Sequence, residues 1–274
     1  MRHVLISGCS SGIGLYCANA LHVREDFRVY ATARKPEDVA RLRERGLWAC
    51  RLDLDSNESI EAGLAQVLEQ SGGRLDVLFN NGAYGQPGAV EDLNDEALKA
   101  QFQTNVFGTQ ALTNLALKTM RTQGSGRIVY NSSVLGFAAM GYRGAYNASK
   151  FAIEGLADTL RLELEGSGIY VVLIEPGPIT SAFRANALQK FRAHIDVQNS
   201  PHKTTYEATL SRLQGSKPTP FTLGPEAVYE ALLQAITSPK PNARYRVTTP
   251  TKVLWYAKRL LPTFLLDKLL KKAT

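Results

Sequence analysis

The sequence predicts an α/β fold, in which a parallel β-sheet carries helices on both faces. Short apolar, β-branched stretches alternate with longer segments of helical periodicity from the first residues onward. Parallel strands need a helical crossover, and the crossovers cover the two faces of the sheet. With 274 residues, 44% of them hydrophobic, the chain can bury the core of one large domain. We expect that domain over 1–250 and a separate extension over 251–274.

Six strands are predicted in the first part of the chain and one near its end. The six lie near 4–7, 28–33, 48–52, 76–80, 127–132 and 169–175, with helix-period segments between them. Residues 181–224 are polar and are interrupted by Pro201, Pro218 and Pro220, a composition typical of a functional lid or of disorder. A helix over 227–237 and an edge strand at 245–247 complete the predicted domain.

The positive charge is concentrated in the C-terminal extension. The whole chain has a net charge of +7, and residues 251–274 supply +5 of it, with six cations against Asp267. The cations are Lys252, Lys258, Arg259, Lys268, Lys271 and Lys272. Because the body of the protein is near neutral, we expect no nucleic-acid-binding face.

The cysteines and the first residues indicate a cytoplasmic protein. Cys9, Cys17 and Cys50 have neither CxxC nor metal-ligand spacing, which suits a reducing compartment and predicts no metal site. The chain runs straight into its first strand without the pattern of a signal peptide. An uncharged apolar run of about twenty residues, which a membrane span needs, is missing from the sequence.

A glycine-rich turn follows the first predicted strand and opens a helical segment. Its residues include Gly8, Ser10, Ser11, Gly12, Ile13 and Gly14. Glycines allow a tight turn and close approach to a pyrophosphate, which free N–H groups and the helix dipole then hold. The alternative is an ordinary strand-to-helix turn. The strand before the turn and the helix after it favour a dinucleotide site.

Arg34 follows the second predicted strand, where an NAD-binding protein is expected to carry an acidic residue for the ribose 2′-hydroxyl. No carboxylate follows directly, and the planar guanidinium suits a 2′-phosphate. A solvated surface arginine is the alternative, but it leaves the missing carboxylate unexplained. The sequence therefore favours NADP(H). Asp53 and Leu54 follow the third strand at the same predicted edge of the sheet.

Tyr146 and Lys150 lie four residues apart at the start of a predicted helix, which places them on one face. A phenol titrates near 10, and working near pH 7 needs a shift of about 4 kcal/mol. A unit charge about 4 Å away at an effective dielectric near 20 supplies roughly that amount. The lysine is thus of the right order to activate the tyrosine. Taken alone, the pair is common on helix surfaces.

Other motifs occur in order along the chain with this pair. They are the Gly8 to Gly14 turn, Asn80-Asn81-Gly82-Ala83, Asn105, Ser132-Ser133, Tyr146 with Lys150, and Pro176-Gly177-Pro178-Ile179. From residue 4 to about 183 the chain thereby resembles the short-chain dehydrogenase/reductase family. The resemblance implies a Rossmann-like, doubly wound sheet of seven parallel strands.

The resemblance also implies roles for individual residues. Tyr146 is the acid/base, Lys150 lowers its pKa and binds the nicotinamide ribose, Ser133 holds the substrate oxygen, and Asn105 supports a proton-relay water. We assign Ser133 rather than Ser132 because its spacing before Tyr146 matches the family. The implied cofactor contacts are the glycine turn, Arg34, Asp53, Leu54, Asn81 and Ile179, with Asp53 at the adenine and the Ile179 backbone at the nicotinamide amide.

One motif departs from the family. The usual Asn-Asn-Ala-Gly reads Asn80-Asn81-Gly82-Ala83, and an alanine where the family has glycine predicts strain at a positive φ or crowding of the cofactor. We expect local adjustment without loss of binding.

The stretches 34–38, 174–179 and 221–227 resemble the branch of retinol and steroid dehydrogenases and bacterial aldehyde reductases. That branch implies small apolar carbonyl or alcohol substrates, and the family implies a homodimer or homotetramer. Apolar residues that we expect to line the pocket are Phe137, Ala138, Ala139, Met140, Phe183, Leu188 and Phe191; loop packing is the alternative for them.

Two functions other than catalysis stay open at this point. One is an NADP(H)-binding regulatory module without turnover, although such a module would not need Tyr146, Lys150, Ser133 and Asn105. The basic, amphipathic extension over 251–274 indicates either a helix docked on the protein or peripheral contact with an anionic membrane.

Overall fold

The fold is a single parallel sheet of seven strands in the order β3-β2-β1-β4-β5-β6-β7, seen in a computed structural model that describes residues 1–214 and 220–273. The strands are β1 (Arg2–Ile6), β2 (Phe27–Ala33), β3 (Trp48–Arg51), β4 (Val77–Asn80), β5 (Gly126–Asn131), β6 (Ile169–Glu175) and β7 (Arg244–Arg246). All six neighbouring pairs run parallel. The predicted Rossmann-like, doubly wound architecture is confirmed.

Helices cover both faces of the sheet. They are α1 (Gly12–His22), α2 (Pro36–Glu44), α3 (Asn57–Gln70), α4 (Asp95–Phe102), α5 (Thr109–Gln123), α6 (Gly144–Glu163), α7 (Phe183–His194), α8 (Lys203–Gln214), α9 (Glu226–Thr237), α10 (Thr249–Leu260) and α11 (Thr263–Ala273). Helices α1, α2 and α9 supply one core, and α3, α5 and α6 supply the other. Strand β1 alternates between them, with Val4 and Ile6 in the first core and Leu5 in the second.

The segment predicted as a lid contains two helices, α7 and α8. Helix α8 is held to the 89–92 segment, because the hydroxyl of Tyr206 accepts from the Ala89 amide at 2.8 Å and donates to the Asp92 carboxylate. Phe191 is 1% exposed and packs on the Tyr206 ring, so the expectation that Phe191 lines the pocket is wrong. Pro218 and the rest of 215–219 lie outside the described residues.

The C-terminal extension forms α10 and α11, which dock on the body beside residues 134–140. Leu254 and Leu270 are buried there, in contact with Val134, Leu135 and Ala138. The sequence left open whether the extension docks on the protein or contacts a membrane. The burial of Leu254 and Leu270 shows that one face of the extension docks on the protein. None of the described helices combines the length and apolar character that crossing a bilayer requires.

Candidate active site

The glycine turn lies at the C-terminal end of β1 and leads into α1. Gly8 and Gly12 have φ of +72° and +57°, in the left-handed region that favours glycine. A Cβ on Gly14 would lie 2.3 Å from the Gly8 carbonyl oxygen, so the turn closes only without side chains. The N-cap residue Ser11 makes no side-chain cap bond, which leaves the first N–H groups of α1 available to an anion. The turn therefore fits a pyrophosphate.

The Asn81 side chain ties this turn to the end of β4. Its amide nitrogen donates to the carbonyl oxygens of Ser7 and Gly8, both at 3.0 Å, and its oxygen accepts from Asn131 at 2.9 Å. The Ser7 hydroxyl accepts from the backbone N–H groups of Asn81 and Gly82. Sequence reasoning missed Ser7 as part of this support. A hydroxyl at the end of a strand beside the turn was the available signal.

Gly82 and Ala83, the two residues exchanged relative to the family motif, have backbone conformations without strain. Gly82 and Ala83 do not have positive φ, so the strain expected at Ala83 is absent. A Cβ on Gly82 would lie 2.9 Å from the Leu54 Cδ1, so the Leu54 side chain occupies the room that an alanine would need. The glycine and the buried leucine are therefore complementary.

Arg34 lies directly after β2 with 57% of its side chain exposed, and it forms a long ion pair of 3.8 Å with Asp55. Asp53 lies after β3, and its carboxylate accepts from the Asp55 backbone N–H. Ile179, after β6, forms a β-bridge with Leu223 at the same edge of the sheet. Arg34, Asp53 and Ile179 thus follow strand ends at the same edge of the sheet as the glycine turn, where an extended dinucleotide fits.

Tyr146 lies in the first turn of α6, beside the loop that follows β5. Its hydroxyl lies close enough to the Ser133 hydroxyl for Ser133 to lower its pKa, and the Ser133 hydroxyl accepts from the Leu135 amide at 3.1 Å. Ser132 has another partner, the buried carboxylate of Glu154 at 2.5 Å. Of the two adjacent serines, Ser133 is therefore the one that the fold brings to the phenol.

Lys150 is buried one helical turn after Tyr146. Its ammonium lies 5.7 Å from the centre of the Tyr146 ring and donates to the Asn131 carbonyl oxygen at 2.7 Å. Burial lowers the pKa of Lys150 to about 8, and the negative charge of Glu154 opposes that effect. The ammonium is thus still the main form at neutral pH.

The pKa of Tyr146 is shifted in the direction opposite to the sequence-based expectation. Burial raises the pKa of Tyr146 to about 12, although the nearby Ser133 hydroxyl lowers it. The reason is that the phenol loses water, while the nearest ammonium gives its hydrogen bond to Asn131. With this pKa the phenol is protonated at neutral pH, so it is ready to act as an acid.

Asn105 lies in a π-helical segment, Gln103–Gly108, between α4 and α5. Its side chain exchanges hydrogen bonds with the Tyr84 backbone and donates to the Ser149 hydroxyl at 3.0 Å. A Cβ on Gly108 would lie 1.9 Å from the Leu54 carbonyl oxygen, so glycine is required where the segment crosses that strand end. The wide π-helical turn brings the Asn105 side chain to α6, where its partner Ser149 directly precedes Lys150.

A buried charge cluster behind Lys150 was not found from the sequence. The Glu154 carboxylate accepts from Arg244 at 3.1 Å in addition to Ser132, and Arg244 also contacts Glu175 at 2.9 Å. Burial raises the pKa of Glu175 to about 7. The available signal was the position of Glu154, four residues after Lys150 on the same helix face.

Apolar side chains from three parts of the chain pack near the tyrosine or against the same buried cluster as the tyrosine. The Phe183 ring from α7 lies edge-on to the Tyr146 ring, with centroids 5.2 Å apart. Phe137 and Met140 from the loop after β5, and Leu266 from α11, pack with Tyr146 against one buried cluster that contains Leu135 and Leu254. The sequence predicted Phe183, Phe137 and Met140 as residues that line the pocket. The contribution of α11 was missed because a pattern of periodicity does not show where a terminal helix docks.

Comparisons with known proteins agree with this geometry. The family model described as short chain dehydrogenase matches residues 2–191. The uncharacterized oxidoreductase YbbO of Escherichia coli is 41% identical over 270 residues, 98% of this chain and 94% of that protein. Human 17-beta-hydroxysteroid dehydrogenase type 1 is 35% identical over 258 residues, 89% of this chain and 77% of that protein.

The fold is also found in a solved structure. A short chain dehydrogenase/reductase from Burkholderia phymatum, crystallised in complex with NAD, superposes with a TM-score of 0.78 at 22% identity, over 94% of this chain and 92% of that one. The family match spans most of the chain and contains the glycine turn, Ser133, Tyr146 and Lys150. The protein therefore belongs to the short-chain dehydrogenase/reductase family of nucleotide-binding oxidoreductases.

Proposed function

We propose that the protein is an NADP(H)-dependent reductase of small apolar aldehydes or ketones, which also oxidises the matching alcohols. The observation that carries this proposal is the proximity of the Ser133 and Tyr146 hydroxyls, with the Lys150 ammonium 5.7 Å from the centre of the Tyr146 ring and apolar side chains packed nearby. A carbonyl oxygen that takes the place between the two hydroxyls would accept a hydrogen bond from each.

The cofactor would be held along the strand ends. We assign the pyrophosphate to the backbone of Gly8, Ser10, Ser11, Gly12, Ile13 and Gly14, and the other contacts to Arg34, Asp53, Leu54, Asn81, Tyr146, Lys150 and Ile179. When bound, NADPH supplies a hydride to the carbonyl carbon and leaves as NADP⁺. The choice of NADP rests on Arg34, an exposed guanidinium where a 2′-phosphate would lie.

Tyr146 would supply the proton in the reducing direction. Its raised pKa keeps it protonated at neutral pH, and an alkoxide is a stronger base than a phenolate, so transfer to the substrate oxygen is downhill. Lys150 would stabilise the phenolate that is left, and Asn105, beside Ser149, would hold the water that returns the proton. Ser133 would keep the substrate oxygen within reach of the phenol.

The substrate class follows from the surroundings of the tyrosine. Phe137, Met140, Phe183 and Leu266 leave few polar partners for a substrate apart from the two catalytic hydroxyls. The name of the human relative, a hydroxysteroid dehydrogenase, agrees with an apolar substrate.

We extend the proposal to the organisation of the chain. Residues 1–250 form the catalytic domain, 181–224 its substrate lid, and 251–274 an extension. A homodimer or homotetramer is supported by Leu98, Phe107 and Phe151, large apolar side chains that are exposed on neighbouring helical segments.

The test is consumption of NADPH, followed by its absorbance, over a panel of apolar aldehydes, ketones, steroids and sugars. Tyr146→Phe removes only the hydroxyl, and we expect kcat to fall by about 100-fold or more while NADPH binding is kept. Tyr130→Phe is the matched control, because it removes a buried phenol hydroxyl whose partners, Gln110 and Thr113, lie on α5 and not among the residues assigned to the reaction. Activity of Tyr146→Phe within about tenfold of the parent would reject the acid/base role. NADPH binding without turnover on any compound would favour a regulatory module.

A further inference from the structure

Helices α10 and α11 carry an inner face that belongs to the active site. Leu254 and Leu270 are 6% and 8% exposed, and with Leu266 they pack on the cluster that contains Phe137 and Tyr146. The Trp255 ring lies between two guanidinium groups, 3.9 Å from that of Arg246 in β7 and 3.7 Å from that of Arg259. These contacts fix the orientation of the two helices, and therefore of their outer face, relative to the pocket.

The outer face is apolar although it is exposed. Tyr256 is 60% exposed, Leu260 77% and Phe264 61%, all within two helical turns of one another along the chain. Four more large apolar side chains on the same two helices or between them are exposed by more than a third: Val253, Leu261, Leu265 and Leu269. Seven exposed large apolar side chains on one short segment are typical of a surface that binds a protein or a membrane.

Exposed basic residues lie on the same two helices as these apolar side chains. Lys252 and Arg259 are exposed on α10, and Lys268 and Lys271 are exposed on α11. Since 251–274 carries +5 of the +7 charge of the chain, the charge of this segment favours an anionic partner. A second copy of this chain would bring two such segments together and would meet charge repulsion. An anionic lipid surface instead offers both an apolar interior for the leucines and phenylalanine and acidic headgroups for the lysines.

We propose that the outer face of α10 and α11 docks on an anionic membrane, with the pocket entrance beside the lipid. The side chains of Leu260 and Phe264 enter the headgroup boundary and the lysines contact lipid phosphates. Because Leu254 and Leu270 on the inner face belong to the buried cluster on which Tyr146 also packs, a substrate dissolved in the membrane reaches the pocket along this segment. That last step rests on the proposed function, whereas the docking does not.

The test is flotation of the full chain with phosphatidylcholine vesicles that contain or lack phosphatidylglycerol. We expect binding to the anionic vesicles only, weakened by salt. Lys268→Gln and Lys271→Gln should each lower the partition coefficient about fivefold. Lys118→Gln on α5 is the matched control for charge. Leu260→Ser with Phe264→Ser should remove binding, and Leu162→Ser, at a residue 64% exposed on α6, should leave it unchanged.

The outcomes separate the alternatives. Equal binding to neutral vesicles, or no loss in the lysine variants, overturns the proposal. A second copy of the chain is the other candidate partner, and light scattering tests it. If the parent does not bind vesicles, and if Leu260→Ser with Phe264→Ser loses self-association, the surface is assigned to a second copy and the membrane proposal is overturned. Flotation needs no turnover, so Tyr146→Phe should float like the parent. A failed activity assay with intact flotation rejects only the proposed function, and the reverse result rejects only the docking.

Discussion

Arg34 is the residue on which the choice of cofactor depends. Arg34→Asp removes the proposed partner of the 2′-phosphate and adds a carboxylate for a 2′-hydroxyl, so we expect preference to move from NADPH toward NADH. Loss of a charge-assisted hydrogen bond costs about 1.5 to 3 kcal/mol, which is about 10- to 150-fold in kcat/KM with NADPH. Steady-state kinetics with both cofactors measures the change.

A charge reversal far from the site serves as the control for Arg34. Arg121→Asp, in the last turn of α5, changes the net charge equally and should leave the ratio of kcat/KM values for the two cofactors unchanged. If the parent uses NADH as well as NADPH, the role given to Arg34 is wrong.

The charge on Lys150 predicts a pH dependence. Burial lowers the pKa of Lys150 to about 8, so the ammonium is present below that pH and is lost as the pH rises through it. If the ammonium stabilises the phenolate of Tyr146, kcat/KM for reduction should fall above pH of about 8, approaching tenfold per pH unit. Lys150→Arg keeps its charge through this range, so its slower reaction should lack the descending limb. An unchanged descending limb in that variant would assign the titration to another group.

Residue identities in the candidate site were largely predictable, and their partners were not. The order of glycines, serine, tyrosine and lysine locates the site because each chemistry restricts the residue type. The hydrogen bonds of Asn131 to Asn81 and from Lys150 to Asn131 depend on how strands β4 and β5 lie beside each other. The burial that raises the pKa of Tyr146 likewise arises only in the folded chain.

At the scale of elements, the proposed lid depends on a few polar contacts between α8 and the 89–92 segment. Tyr206→Phe keeps the buried ring but leaves the Ala89 amide without this partner, at a cost of about 1 to 3 kcal/mol. We expect faster hydrogen exchange in α7 and α8 and a higher KM, with kcat nearly unchanged, because no reacting group is touched. Exchange followed by mass spectrometry measures the first effect.

Tyr170→Phe is the control for the lid variant, because Tyr170 is 37% exposed on β6 and lies against Arg127 rather than the lid. Equal exchange in α7 and α8 of the Tyr206→Phe and parent proteins would mean that the hydroxyl does not hold the lid in place.

Strands were more predictable than the helices between residues 181 and 224. Strands β1 to β6 are largely buried, so their apolar runs are visible in the sequence, and the predicted strand ends lie within two residues of the observed ones. Helices α7 and α8 bury only a few side chains each, among them Ala187, Phe191 and Tyr206. Their periodicity is therefore weak, and tertiary contacts such as the Phe191–Tyr206 ring pair stabilise them.

For the whole molecule, the sheet edge, the lid and the extension meet at one place. The glycine turn and Tyr146 lie on the body, Phe183 comes from α7, and Leu266 comes from α11. With the proposed function, substrate selection would depend on α7 and α11, whereas the chemistry would depend on α6 and on the loops that follow the strands. This division explains why the sequence identifies the reaction class more closely than the substrate.

Cofactor binding should stabilise the entire fold, because the glycine turn, Asn81 and Arg34 belong to different strand ends that unfold together. At a concentration of about 100 times Kd, a ligand that binds only the folded state adds about 2.7 kcal/mol. For a domain of this size that corresponds to a rise in Tm of about 5 to 10 °C. Differential scanning calorimetry with NADPH, and with NADH at the same concentration, should show the larger rise for NADPH. Gly14→Ala places a Cβ 2.3 Å from the Gly8 carbonyl oxygen, so it should lower Tm without ligand and abolish the rise. A full NADPH-dependent rise in Gly14→Ala would show that the cofactor binds elsewhere than at this turn.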